Sequence, residues 1–165
     1  DDILIYSVTM EEHKVHLQQV FECLQSEGLY CNRKKCVFGQ ERVDYLGHIV
    51  TAGGVSADPS KISAMIELPQ PRTVRELRGF LGLTGYYRKF VKDYGKIARA
   101  LTDLLRKDGF HWTEEATRSF KDLQRAMTEV PVLALPDFTR PFIIETDASG
   151  CGVGAVMRQG GGPIA

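Results

Sequence analysis

Three aspartates stand where carboxylates could do chemistry. Asp1 and Asp2 sit together ahead of Ile3, Leu4, Ile5 and Tyr6, while Asp147 follows the apolar run Phe142, Ile143, Ile144 and precedes a turn carrying Gly150, Gly152 and Gly154. Phosphoryl transfer by two divalent ions needs carboxylates crowded enough that metal relieves their repulsion, with the ions about 3.5–4 Å apart. An Asp-Asp pair meets that need only at a turn, because neighbours in a regular strand point to opposite faces. The site also needs a further carboxylate from another strand. The plain alternatives are a solvated acidic dipeptide at one place and a turn-initiating aspartate at the other. The glycines beyond Asp147 follow G-x-G-x-G, which is not the dinucleotide fingerprint.

The elements that must position these groups read as an α/β (α+β) chain. Ile3 to Tyr6 is a β-prone run. Thr9 and Glu12 form a capping box, after which Val15, Val20, Phe21 and Leu24 recur with helical period until Gly28. The stretch from Lys35 to Val55 predicts a hairpin-like pair of strands, with Gly39 and Gln40 near the first turn and Gly53 and Gly54 at the end. Asp58 and Pro59 open a helix with Ile62, Met65 and Ile66 on one face. "LPQPRT" breaks the chain, and Thr73 with Glu76 forms a second capping box for a helix reaching to near Val91. A further helix carries Ile97, Leu101, Leu104 and Leu105 and ends at Asp108 and Gly109. Thr113 caps another with Ala116, Phe120, Leu123 and Met127 inward. The chain from Arg140 to Gln159 reads as strand, glycine-rich turn, strand, and its edge is open to self-association, as is that of Ile3 to Tyr6.

Composition narrows the partners. With 165 residues, 43% hydrophobic, the chain can fill one core or two small ones, and 21 Lys and Arg balance 21 Asp and Glu. The balance hides a local excess: between Arg72 and Lys107, ten basic residues face three acidic ones. Cys23, Cys31, Cys36 and Cys151 have no C-x-x-C spacing, which predicts reduced thiols in an intracellular chain. A zinc reading would join His13, His16, Cys23 and Cys31, but the knuckle spacing is missing and a helix runs through the set. No apolar run approaches the ~20 residues of a membrane span.

The helix from Val74 to Val91 is the most informative segment. At 100° per residue Leu77, Phe80, Leu81, Thr84, Tyr87 and Val91 share one side, while Arg78, Gly82, Gly85, Tyr86 and Lys89 share the other. Glycine inside a helix costs roughly 1 kcal/mol against alanine, so Gly79, Gly82 and Gly85 call for the close approach of another backbone. That backbone is either a neighbouring helix or nucleic acid flanked by Arg78, Lys89 and a stacking Tyr86.

With these pieces in order the chain resembles the reverse transcriptase of gypsy-type LTR retrotransposons. "DDILIYS" resembles the second half of the polymerase motif Tyr-x-Asp-Asp, "LYCNRKKCVF" the lysine-bearing motif that follows, and "YLGHIV" the primer grip. "VRELRGFLGLTGYYRKFV" resembles the first thumb helix, and "VPVLALPDF" with "FIIETDASGCGVGAVM" the connection entering the RNase H domain. The resemblance implies palm over residues 1–68, thumb over 72–109, connection over 110–139 and RNase H strands over 140–165. It implies that Asp1 and Asp2 belong to the polymerase metal pair and Asp147 to the RNase H carboxylates, with Mg2+ or Mn2+ as the ions of the intact RNA-directed DNA polymerase. It further implies that Tyr45, Leu46, Gly47 and His48 hold the primer end and that the Arg78, Gly82, Gly85, Tyr86, Lys89 face lies along a template–primer duplex.

The pattern's first palm aspartate and its remaining RNase H carboxylates find no match in the 165 residues. The expectation is a catalytically incompetent piece of a retrotransposon RNA-directed DNA polymerase/RNase H; the alternatives are a non-catalytic nucleic-acid-binding module and a retrotransposon remnant with no selected function. Purified chain is expected to show no templated incorporation with Mg2+ or Mn2+. Incorporation that disappears in Asp1→Ala and Asp2→Ala would contradict it.

Overall fold

In the computed structural model, residues 2–106, 110–150 and 152–164 are described. Thr9 opens helix α1 (Met10–Ser26) with the full capping box: its Oγ1 accepts from the Glu12 N–H at 3.2 Å, and the Glu12 carboxylate accepts from the Thr9 N–H at 3.3 Å. Residues 3–6, expected as a strand, pair with no strand among the described residues, and without a ladder partner the run stays irregular. It is tied down by side chains instead. Ser7 Oγ bridges His13 Nδ1 at 3.2 Å and His16 Nδ1 at 2.8 Å, and the Tyr45 hydroxyl donates to the Asp2 carbonyl at 3.2 Å.

A three-stranded antiparallel sheet follows: β1 (Arg42–Tyr45), β2 (His48–Thr51) and β3 (Gly54–Ala57). Tyr45 pairs with His48, so the first turn is the two residues Leu46 and Gly47 rather than the expected Gly39 and Gln40. Both turn residues have positive φ, 47° and 72°, which matches the twist of a tight hairpin. Leucine rarely adopts this conformation, so the sequence hides the turn.

The helices build the core. Asp58 caps α2 (Pro59–Ile66), accepting from the Ser60 N–H at 2.9 Å, and Ile62 and Met65 point inward. Thr73 caps α3 (Val74–Tyr86), but the Glu76 carboxylate accepts from Arg72 N–H at 2.7 Å, one residue outside the expected box. The helix ends at Tyr86 and tightens to a 3-10 turn over Arg88–Phe90, which keeps Tyr87, Phe90 and Val91 buried as the longer helix would have. The expected helix around Leu101 is two short ones, α4 (Tyr94–Ile97) and α5 (Arg99–Asp103); its predicted end at Asp108 and Gly109 lies outside the described residues. α6 (Glu114–Thr128) buries Ala116, Phe120, Leu123 and Met127 as its periodicity requires. Leu77, Phe80 and Leu101 meet that stripe, with the Phe80 and Phe120 rings 4.6 Å apart. Burial of each large side chain stabilises by about 1.5–3 kcal/mol.

A second antiparallel sheet, β4 (Ile143–Ser149), β5 (Gly152–Gln159) and β6 (Gly162–Pro163), confirms the expected hairpin and adds a short strand. The segment after α6 staples the two sheets. Leu133 exchanges two backbone hydrogen bonds of 2.8 Å with Val55 in β3, and Ala134 N–H donates to the Pro163 carbonyl at 3.0 Å. Gln159 fixes the approach to β4, its amide donating to Asp137 and Arg140 carbonyls and accepting from Asp137 N–H.

The staple demands glycine at position 54. Its φ is 134°, and a Cβ there would run into the Leu133 carbonyl and sit 2.9 Å from Val132 Cγ1. Gly54→Ala is therefore expected to destabilise the chain by about 2–4 kcal/mol in urea unfolding, and an unchanged midpoint would contradict the staple.

Candidate nucleic-acid interface

The Leu46–Gly47 turn brings the two expected contact groups together. Tyr86 at the end of α3 donates its hydroxyl to the Leu46 carbonyl at 2.6 Å, and Tyr87 donates to the Gly47 carbonyl at 2.8 Å. Each carbonyl takes a second donor. His48 Nδ1 lies 2.9 Å from the Leu46 oxygen, and the Asp58 N–H donates to the Gly47 oxygen at 3.1 Å. A carbonyl has two lone pairs, so both turn oxygens are fully engaged. Gly47 itself leaves no room for a side chain, since a Cβ would lie 2.8 Å from the Tyr87 hydroxyl.

His48 sits under this turn, only 9% exposed, among the rings of Tyr86, Tyr87 and Phe90 at centroid distances of 5.3, 5.6 and 5.7 Å. Because a carbonyl only accepts, Nδ1 carries the proton; Nε2 is buried without a hydrogen-bond partner among the described residues. Burial, then the Lys89 charge, holds the imidazole below its ordinary value of 6.5. Burial also raises Tyr87, which keeps its hydroxyl a donor. Of the residues expected to hold a primer end, Leu46 is exposed, Tyr45 and Gly47 are half-buried, and His48 faces inward.

The two sides of α3 separate as periodicity requires. Leu77, Phe80 and Thr84 are buried, Thr84 Oγ1 donating to the Phe80 carbonyl at 3.0 Å and meeting the Tyr94 hydroxyl at 2.9 Å. On the other side Arg78, Gly82, Tyr86 and Lys89 are exposed and Gly85 is half-buried. A Cβ at Gly79 or Gly82 would meet nothing within 4 Å, and one at Gly85 only the Tyr94 hydroxyl at 3.6 Å. No neighbouring helix closes on Gly79 or Gly82 among the described residues. Among the described residues Arg75, Arg78 and Lys89 form no ion pair, and Lys89 Nζ lies 5.1 Å over the Phe90 ring.

The aspartates are not gathered. Asp1 lies outside the described residues, Asp2 is exposed, and Asp147 is exposed in β4 opposite Gly154. Among the described residues, which do not include Asp1, no three His, Cys, Asp or Glu side chains converge to hold a metal ion. The same holds for the zinc set, whose His13 and His16 meet at Ser7 and whose Cys23 and Cys31 are free and exposed. No helix among the described residues is long and apolar enough to cross a membrane.

These features belong to a known family. Residues 1–50 match the reverse transcriptase (RNA-dependent DNA polymerase) family, and residues 112–165 match the RNase H-like domain found in reverse transcriptase. The chain is 55% identical over 130 residues to an uncharacterized mitochondrial protein of Arabidopsis thaliana, covering 78% of this chain and 82% of that protein. It is 41% identical over 171 residues to the retrovirus-related Pol polyprotein from transposon opus of Drosophila melanogaster, and 38% identical over 177 residues to that from transposon gypsy. These matches cover 96% and 99% of this chain but 17% of each polyprotein. Foamy viral protease-reverse transcriptase, solved with double-stranded DNA and with an RNA/DNA hybrid, superposes with a TM-score of 0.82 in both cases, at 27% and 26% identity over 97% of this chain and 29% and 22% of those chains. The chain belongs to the reverse transcriptase family of retrotransposon polyproteins, and carries a reverse transcriptase and RNase H-like piece of one.

Sequence reasoning placed Tyr87 in the core and missed its hydrogen bond to the turn. The available signal was chemical: a tyrosine in an apolar stripe needs a partner for its hydroxyl. Tyr87→Phe is expected to cost about 0.5–1.5 kcal/mol of stability, because Gly47 keeps its Asp58 donor and no carbonyl is orphaned. A loss above about 3 kcal/mol in denaturant unfolding would mean that the hydroxyl does more than close this turn.

Proposed function

We propose that the outer face of α3 and the Leu46–Gly47 turn form the surface on which a template–primer duplex lies in a gypsy-type reverse transcriptase. In this reading residues 1–68 are palm, 72–109 thumb, 110–139 connection and 140–165 the first RNase H strands. The carrying observation is the open space over Gly79 and Gly82, flanked by cations without ion-pair partners among the described residues, on a helix whose other side is core. A protein neighbour would fill that space; a duplex needs both the room and the cations.

The solved foamy viral relatives support the ligand class, since theirs are double-stranded DNA and RNA/DNA hybrid. Tyr86 contributes one ring face, because its hydroxyl is committed to the Leu46 carbonyl and the ring cannot swing freely between bases. The duplex is held by its backbone and groove, so binding has little sequence preference. This reading concerns binding of the duplex and rests on the α3 face and the turn alone.

Duplex titrations at several salt concentrations test it. Arg78→Ala or Lys89→Ala is expected to flatten the log–log salt slope by about 0.9 for each phosphate that the side chain had neutralised. Gly82→Leu keeps every charge and favours the helix by up to ~0.8 kcal/mol, yet is expected to weaken binding by filling the approach. A folded Gly82→Leu chain that binds duplex as the parent does would refute the proposal.

A further inference from the structure

We infer that His48 is a proton-responsive positioning residue: its neutral imidazole locks the Leu46–Gly47 turn to the end of α3, and protonation releases the lock. Three observations converge. Nδ1–H and the Tyr86 hydroxyl share one acceptor, the Leu46 carbonyl, at 2.9 and 2.6 Å, so the histidine fixes where the tyrosine hydroxyl must go. Nε2 is buried with no partner among the described residues. The ring is enclosed by Tyr86, Tyr87 and Phe90, and none of them hydrogen-bonds Nε2.

A neutral ring tolerates this enclosure, because an unpaired acceptor costs less than an unpaired charged donor. Adding a proton to Nε2 creates a charged N–H at an atom that has no partner among the described residues. The groups around the ring do not relieve it. Tyr86, Tyr87 and Lys89 face it from the end of α3 and the following turn; its own hairpin supplies the Leu46 and Tyr45 backbone, which favours the charged form only as a smaller contribution. Asp58, at the start of α2, acts on Tyr87, and its carboxylate is engaged by Ser60. The direction follows from linkage. A histidine held below its ordinary 6.5 contributes stability that is complete above that value and lost as pH falls towards the folded value.

The consequence for ligand binding rests on the duplex reading above, since the released elements are the two halves of that surface. NMR titration of the His48 ring nitrogens in the full 165-residue chain, between about pH 5 and 8, tests the lock without any ligand. The expected result is a neutral ring protonated on Nδ1 at neutral pH, a midpoint below 6.5, and amide shifts of Tyr86, Tyr87 and Asp58 that move with the ring. A ring charged at neutral pH, a proton on Nε2, or titration without movement at Tyr86 would overturn the inference.

Duplex affinity of the parent and of His48→Asn supplies the second arm. Asparagine keeps a donor for the Leu46 carbonyl and cannot be charged. The parent is expected to lose several-fold more affinity than His48→Asn as pH falls, and superimposed profiles would overturn the inference. If the parent binds no duplex at any pH, the duplex reading fails and the ring titration still decides the lock.

Discussion

Everything at the candidate interface depends on four hydrogen bonds to two adjacent carbonyls. Leu46 is held in a left-handed conformation that costs a non-glycine residue roughly 1–2 kcal/mol, and no local side chain stabilises it except His48. The other three donors come from the end of α3 and the residue after it, where Tyr86 and Tyr87 each reach back 40 residues, and from Asp58 at the start of α2. A turn that is strained by itself is thus stable only in the company of the helices. The same bonds fix the helices to the turn, so hairpin, α2 and the end of α3 are positioned together.

This arrangement lets α3 be two things at once. Its inner side is ordinary core, with Leu77, Phe80 and Thr84 buried against α6 and the Tyr94 hydroxyl. Its outer side keeps Gly79 and Gly82 under open space and Arg78 and Lys89 without ion-pair partners among the described residues, features that lower the stability of an isolated helix. The core and the tyrosine joint supply the order that this outer face lacks. The staple through Leu133 does comparable work elsewhere, tying the first sheet to the second through backbone bonds that leave no room for a side chain at Gly54.

Features governed by local periodicity and capping were legible in the sequence. The Thr9 box, the Asp58-Pro59 start, the inward residues of α3 and α6 and the β4–β5 hairpin all follow from short-range rules, and the structure has them. What escaped depends on distant partners. The turn lies at Leu46–Gly47 and not at Gly39, and two of the four donors that hold it, Tyr86 and Tyr87, lie beyond Val74. Ile3 to Tyr6 looks like a strand because apolar β-prone residues do so whether or not a partner exists, and the helix after Tyr86 tightens where periodicity alone would continue it. The outer face of α3 was legible as a pattern, and the structure adds that no part of the described chain comes within 4 Å of a Cβ at Gly79 or Gly82.

The most direct test of the account is a map of backbone amide shifts in the full chain as a short primer–template duplex is added. The account predicts that the largest changes form one continuous patch over Arg78, Gly82, Gly85, Tyr86 and Lys89 and pass across the joint to Leu46 and Gly47, leaving the inner residues Leu77, Phe80 and Leu123 unmoved. Changes centred on α1 or on the β4–β5 hairpin, with α3 silent, would contradict it.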